Sequence, residues 1–368
     1  MQTIGYEQLS DIARGSAVLA AGGGGEPFRG HMAVQATFDK FGPTQLVGID
    51  ELDDDALIAS PFLIGAPVTL LEKFPFGDEL VRAARELERR TGRTIEAVYA
   101  VEAGGVNSMV PFSVAARMGI PVLDADTMGR AYPAMDLTLV NLAGIQSTPI
   151  VMTDDYGSLI TIDTNRNEIA ETLGRAMTAK SGAVVAAAGF MGTAAQMRPG
   201  LAEGTISLAQ SIGSMLRKST APPTQTWDQV LELTGGRRLF EGKVVSAGQD
   251  IESGWGVGTT LVEGTNAYEG LTMRIDVINE YLTAVVNGEA LATAPDIITV
   301  YDAANGAPIT SESVRYGFRI GVVAIPCDPR WTQPDGIALG GPARFGFDHD
   351  YVDFRTTTDL ARQTVGTT

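Results

Sequence analysis

The chain has 368 residues, 44% hydrophobic and 19% charged. That is enough apolar content for a packed core, excludes general disorder, and at this length suggests two domains. Its 27 basic and 44 acidic residues leave a net charge of −17, which argues against non-specific binding to nucleic acid or an anionic membrane, both polyanions.

Taken in chain order, the apolar spacing of Leu9, Ile12, Ala13, Leu19 and Ala20 predicts a helix over residues 6–20. Four glycines, Gly22 to Gly25, stop it, and Glu26-Pro27 opens a second helix to about Lys40. Residues 45–50 and 57–66 read as strands, 78–90 as a strongly amphipathic helix, 95–101 as a strand, 109–118 as a helix and 120–123 as a strand. This alternation points to a parallel α/β sheet. Beyond Asp136, residues 137–144, 149–153 and 158–163 read as strands, 167–179 as a helix, 183–188 as a strand and 203–217 as a helix. Residues 219–226 are the clearest loop. From about Leu239 to Cys327 strands and turns dominate, with Asn287-Gly288 and Asn305-Gly306 as hairpin signals. The expected fold class is an α/β N-terminal domain with a mostly parallel sheet, residues 1–165, followed by a β-rich α+β C-terminal domain, residues 166–368. The tail, 356–368, is polar and expected to fray.

The scarce residue types narrow the chemistry. Cys327 is the only cysteine, and His31 and His349 are the only histidines. An intrachain disulfide, a cysteine-built zinc centre and a three-histidine metal site within one chain are therefore excluded. A chain with no basic-then-apolar leader and no apolar run of about 18 residues is expected to be cytoplasmic, with no membrane span. Catalysis must lean on carboxylates, amides, arginines and backbone N–H groups. If a divalent metal takes part, carboxylates of Asp and Glu must supply most of its ligands.

The glycine run can present N–H groups to an anion or a developing negative charge, and Gly23, Gly24, Gly25 and Glu26 are candidates for substrate binding. The run follows a helix rather than a strand and lacks a Gly-Lys-Ser/Thr continuation, so neither a dinucleotide nor a phosphate-loop nucleotide site is expected. A C-cap and a tight turn are the competing explanation. Glu102-Ala103-Gly104-Gly105-Val106-Asn107 lies where a strand gives way to a helix, the place where open α/β sheets bind ligands. There Gly104 and Gly105 permit close approach and Asn107 offers a donor and an acceptor, although Asn107 could equally cap the next helix. Asp124 and Asp126 follow the next strand and can serve as general base or metal ligands, with Arg130 as a fork for a substrate carboxylate or an aspartate. An Asp N-cap with a structural Asp–Arg pair competes. Ser207 in Gly204-Thr205-Ile206-Ser207 has no histidine nearby in sequence, and helix-start packing is the simpler reading. Asn279-Glu280 is a polar pair in a strand region that can point into a site or lie on a hairpin face. His349, between Asp348 and Asp350, is either a tuned acid/base or a surface pair.

In order, the Gly-Gly-Gly-Gly-Glu-Pro block, Gly104-Gly105-Val106-Asn107, Pro121 to Asp126 running into Met128-Gly129-Arg130-Ala131-Tyr132-Pro133, Gly204 to Ala209, and Pro295-Asp296-Ile297-Ile298 resemble the S-methyl thiohydantoin desulfurase-like proteins, a bacterial family met alongside hydantoinases. The resemblance spans nearly the whole chain. It implies an α/β N-terminal and a β-rich C-terminal domain, and hydrolysis of a five-membered cyclic thio-imidate or hydantoin-like ring. Chemical reasoning then makes Asp124 or Asp126 the base or a metal ligand. It assigns Asn107 and the glycine N–H groups to the ring heteroatoms and Arg130 to an acidic side arm. A homo-oligomer is expected, with a hydantoinase-type enzyme as a partner. The alternative function is a non-catalytic ligand-binding or accessory subunit of such a system.

Overall fold

The computed structural model describes residues 1–65, 77–252 and 255–361. Among them, nine strands form one mixed sheet: β1 (Gln2–Ile4), β2 (Thr44–Val47), β3 (Leu57–Gly65), β4 (Ala97–Ala100), β5 (Val122–Asp126), β6 (Ile150–Thr153), β7 (Leu159–Ile162), β8 (Val184–Thr193) and β9 (Ala202–Glu203). The order is β1-β2-β5-β4-β3-β8-β6-β7, with β9 paired to β5. The centre, β2-β5-β4-β3, is parallel, and antiparallel strands flank it. Four helices, α1 (Tyr6–Leu19), α2 (Pro27–Phe41), α3 (Asp78–Thr91) and α4 (Val110–Met118), form where the apolar period is that of a helix. In α3, Leu80, Ala83, Ala84 and Leu87 are the buried stripe and the opposite face is charged. The sheet continues past residue 165, so a cut there separates β6 and β7 from β8.

The second sheet is antiparallel throughout. Its strands are β10 (Arg237–Glu252), β11 (Trp255–Gly264), β12 (Thr272–Ile278), β13 (Glu280–Val286), β14 (Glu289–Thr293), β15 (Ile297–Asp302), β16 (Pro308–Ile309) and β17 (Arg319–Ile325). They run in the order β14-β13-β12-β11-β10-β17-β15-β16. Asn287 and Gly288 both take positive φ (51° and 89°) at the β13–β14 turn, as a two-residue hairpin turn requires. The architecture is thus a mixed α/β unit followed by an all-antiparallel one.

Three local expectations change. Residues 137–144 are not a strand. Thr138 accepts a hydrogen bond from the Asn141 N–H at 3.1 Å and caps the short helix Leu139–Leu142. The expected loop at 219–226 contains the start of the helix Pro223–Thr234, whose first turn tolerates proline and whose Trp227 and Val230 are fully buried. Finally, β5 runs on through Asp126 because β9 pairs with Ala125 and Asp126. Asp124 and Asp126 therefore sit inside the strand, a long-range effect that local pattern does not carry. Of the tail, Thr357 is held by Arg237, whose Nη1 donates to its carbonyl at 2.7 Å; residues 362–368 lie outside the described residues.

The two sheets meet around α1. Val18, Leu19 and Ile12 share one apolar core with Ile297, Tyr301 and Val323 of the second sheet. The Thr299 hydroxyl donates to the Val18 carbonyl at 2.7 Å. At the turn after α1, the Tyr281 and Ser311 N–H groups donate to the carbonyls of Ala21 and Gly22, each at 2.7 Å. The glycine run therefore lies at the seam between the two units.

Candidate active site

A cleft opens at the carboxyl ends of β3, β4 and β5, where open α/β sheets bind ligands. Phe62, Leu63, Ile64, Val101, Val106, Met128 and Met135 make its apolar wall. Its polar groups are Glu102, Asn107, Glu171, Arg175, Asn279 and Glu280. The first unit supplies all of these except Asn279 and Glu280, which arrive from the β12–β13 turn.

That turn is sharp. Asn279 has φ 54°, a left-handed conformation that asparagine tolerates better than most residues. Its N–H donates to the Gly256 carbonyl at 2.7 Å and its Oδ1 accepts from the Gly256 N–H at 2.8 Å. The turn is thus pinned from both sides, and the next residue, Glu280, is delivered to the seam against the glycine run. A Cβ at Gly23 would lie 1.9 Å from Glu280 Oε1, so only glycine leaves room for this carboxyl. Gly105 (φ 66°) meets Gly24 as closely, since a Cβ there would lie 2.2 Å from the Gly24 carbonyl oxygen. The Val106 N–H donates to that same oxygen at 2.8 Å. Gly104 is packed against Ala20 in the same way. Much of the glycine density is therefore explained by backbone-to-backbone approach where the three segments converge.

Glu102 extends from the end of β4. Its Oε1 accepts from Asn107 Nδ2 at 2.7 Å. Asn107 is itself locked onto β3, with Oδ1 accepting from the Leu63 N–H at 2.8 Å and Nδ2 donating to the Leu63 carbonyl at 3.2 Å. The amide thus orients Glu102 and holds two strand ends together. Burial pushes the Glu102 carboxyl up to about 8, assisted by the nearby Asp126 charge and opposed by the Asn107 bond. Burial, and after it the proximity of Glu102, raises Glu280 well above the ordinary carboxylate range, while Arg130 pulls it down. Glu280 Oε2 is buried and has no hydrogen-bond partner. Both carboxyls are buried and the charge of Glu102 opposes that of Glu280, so ionising the two together is costly.

The other sequence candidates are placed differently. Asp126 is fully buried behind the cleft wall. Its Oδ2 accepts from the N–H groups of Ala103, Met128 and Gly129 at 2.8, 3.0 and 2.8 Å, so it ties the Glu102 loop to the loop after β5. Burial moves its carboxyl up to about 7 against the pull of these donors. Asp124 does not line the cleft. Its carboxylate accepts from the Ser207 N–H at 3.0 Å and the Ser207 hydroxyl at 2.5 Å, tethering β5 to the first turn of the helix Thr205–Lys218. Arg130 is fully buried. It donates to the carbonyls of Ala131, Pro295 and Asp296 at 2.9, 2.6 and 2.9 Å and stacks 4.3 Å over the Tyr132 ring, which lines the cleft. Glu26 caps α2 by accepting from the Phe28 N–H at 3.3 Å. Gly24 lines the cleft, Gly23 and Gly25 flank it in the run, and half-buried His349 is not among the lining residues. Among the described residues, no three of His, Cys, Asp and Glu are grouped as a metal ion would need.

Glu171 and Arg175 are cleft residues that the sequence left unmarked, Tyr132 appeared there only within the Met128–Pro133 motif, and Glu280 only as half of an ambiguous pair. The available signal was Asn-Glu at a strand break, where a left-handed Asn can aim the following side chain.

Fold and cleft together define a two-unit protein with a buried carboxyl pair at a strand-end cleft. The S-Me-THD-like N-terminal domain matches residues 7–164 and the S-Me-THD-like C-terminal domain matches residues 165–354. The chain therefore belongs to the S-Me-THD-like family. A crystal structure of a protein from Chromobacterium violaceum is similar over 96% of this chain and 99% of its own, with a TM-score of 0.82 at 22% identity. That likeness establishes the shared fold. No curated protein matches the chain, and no helix among the described residues is long and apolar enough to cross a membrane.

Proposed function

We propose that the chain hydrolyses a five-membered cyclic thio-imidate ring of the S-methyl thiohydantoin kind. The observation that carries this reading is the Glu102–Glu280 pair, two buried carboxyls with raised proton affinity that converge from different units on one apolar cleft. Such a pair can donate and accept protons in one turnover, which is what the reaction demands.

Glu280, whose proton affinity is raised by burial and by the nearby Glu102, donates its proton to the ring nitrogen and makes the adjacent carbon electrophilic. Glu102, held by Asn107, accepts a proton from water as the water oxygen bonds to that carbon. The carbon–sulfur bond then breaks, its electron pair leaves on sulfur, and the thiolate takes the proton held by Glu102. The new hydroxyl returns its proton to Glu280 as the ring carbonyl forms. Water supplies two protons, one ending on nitrogen and one on sulfur, so the pair is restored. Asn107 acts here as a positioning residue, since both ends of its amide are engaged.

The test is methanethiol release by the purified chain from an S-methyl thiohydantoin, with the corresponding hydantoin as the second product. Tight binding of the ring without thiol release, with or without added divalent metal, would instead favour a ligand-binding or accessory role beside a hydantoinase-type enzyme.

A further inference from the structure

Of the four strands that end the two sheets, β1, β7, β14 and β16, three are blunt or covered. β1 has three residues, with polar Gln2 and Thr3 exposed. β16 has two residues. β14 is covered by the chain that follows, where the Val352 N–H donates to the Thr293 hydroxyl at 2.9 Å and the Thr357 hydroxyl to the Leu291 carbonyl at 3.1 Å. β7 differs. Among the described residues it pairs with β6 alone, and Leu159-Ile160-Thr161-Ile162 brings no charge, proline or bulge to its outer edge. Natural sheets seldom leave such an edge open, because its unpaired N–H and C=O groups invite another strand. Leu159 and Ile160 are 40% and 45% exposed. Successive strand residues point to opposite faces, so this edge is apolar on both. The helix Asn167–Lys180 packs on β7, where a Cβ at Gly174 would lie 3.8 Å from Ile162 Cδ1. Its Ile169 and Leu173, one turn apart, are 39% and 48% exposed. Each stands two positions, just over half a turn, from Glu171 and Arg175 on the cleft side of the helix.

The two ends of this apolar surface carry charges that suit each other. Thr153 pairs with Leu159 on one side and Ala186 on the other, which sets the start of β8, and Lys180 just before it, at the Leu159 end of β7. Asp163 and Glu168, both exposed, lie at the Ile162 end, where the chain leaves β7 for the helix. Arg166 is at that end too, 3.5 Å from Glu168, and Asp155 is at the other. A two-fold axis through the middle of β7 therefore brings Lys180 of one copy towards the acids of the next, and Asp155 towards Arg166. We propose that β7 and the outer flank of this helix are an isologous interface, on which β7 of a second copy of this chain pairs antiparallel and joins the two sheets edge to edge. At a net charge of −17, copies of the chain repel one another in general, so a contact between them has to bring its own opposite charges, as these two ends do. The second copy would brace, from behind, the helix that carries Glu171 and Arg175 to the cleft.

Sedimentation of the full chain by analytical ultracentrifugation, from about 1 to 100 µM, tests this. The wild-type chain should be a dimer at the upper end of that range. I160K places on the edge the kind of charge that protects natural edge strands, and L173E charges the helix flank. Each should raise the dimer dissociation constant by at least about 10-fold, the loss expected at an interface centre. K180E should weaken the dimer, and K180E combined with D163K and E168K should restore it, which a general disturbance of the surface would not do. Ile160 and Leu173 are nearly half exposed, so melting temperatures taken where all chains are monomeric should stay close to wild type. If one of these two variants melts early, the other, on a separate element, decides. A wild-type chain that is monomeric at the highest concentration overturns the proposal. So does a dimer whose dissociation constant is unchanged in stable I160K and L173E chains, because its interface then lies elsewhere.

Discussion

The ends of β4 and β5 lie side by side in the same sheet, and both present acids, yet their carboxyls are built for different work. Asp126 at the end of β5 has three backbone N–H donors on one oxygen, and Asp124 is tied to both donors of Ser207. Glu102 beyond β4 accepts from the Asn107 amide and from the Tyr132 backbone, shares the cleft with a second carboxyl and stands in an apolar wall. A carboxylate tied down by several fixed backbone donors acts as a brace, and Asp126 does so through Oδ2 while its buried Oδ1 has no partner among the described residues. A carboxyl with few donors and a like neighbour in a dry cleft is poised to move protons. By residue type alone, Asp-Ala-Asp looks the more reactive segment; the donor inventory reverses that order.

The largest effect expected from breaking this contrast is at Glu280. Glu280→Gln removes the acid and should lower turnover by about 10²–10⁴, the usual range for a positioned general acid, with little change in melting temperature. Gly23→Ala tests the same carboxyl from outside, because its Cβ would occupy the place of Glu280 Oε1. It should cost turnover nearly as much as Glu280→Gln and should not be rescued by pH. A Gly23→Ala chain with wild-type turnover contradicts the placement of Glu280 against the glycine run.

The pH dependence sharpens the contrast. Glu102 must be ionised to accept a proton, so kcat/KM should rise as pH passes through about 8, and Glu102→Gln should abolish that limb. Stability should move the opposite way. The folded-state proton affinity of Glu102 is raised above the unfolded value, so its contribution is fully present below the ordinary glutamate range and is lost as pH rises through about 8. Thermal melts of wild type and Glu102→Gln across that window should therefore converge with rising pH if the Gln variant starts less stable, or diverge in its favour if it starts equal. A constant difference contradicts the raised affinity.

The smallest effects on chemistry are expected at β5. Asp126→Asn weakens one acceptor serving three amides and should cost about 1–3 kcal/mol of stability. Turnover should fall only as far as the Glu102 loop loosens. Asp124→Ala should cost about 0.5–2 kcal/mol, as loss of a helix cap does, with turnover close to wild type. Urea denaturation and the thiol assay read both variants. A large loss of turnover in Asp124→Ala at unchanged stability would reverse the assignment of brace and pair.

Much of the frame was legible in the sequence. The periodicity of Leu80, Ala83, Ala84 and Leu87 marked α3, Asn287-Gly288 marked a hairpin, and the family motifs announced two domains. The strand-end location of the Glu102 to Asn107 loop followed from its place between a strand and a helix. The partition of roles was not legible, because it depends on long-range pairing. β9 pairs with the end of β5 from some 80 residues away and so holds its aspartates within the strand, and Glu280 enters the cleft from the second sheet on an Asn279 held by Gly256. Arg175 and Glu171 lie on the helix read over residues 167–179, where nothing in the sequence set them apart. The glycine run was conspicuous, but its cause, room for Glu280 and for the Gly105 backbone, exists only once the two units have met.

The most direct measurement is single-turnover methanethiol release from an S-methyl thiohydantoin by wild type, Glu280→Gln and Asp126→Asn, followed side by side with their melting temperatures. The account predicts stoichiometric thiol from the wild type, a rate at least about 10² slower in a stable Glu280→Gln chain, and a modest slowing in an Asp126→Asn chain that melts early. Wild-type kinetics in Glu280→Gln, with the rate lost instead in a fully stable Asp126→Asn, would contradict it.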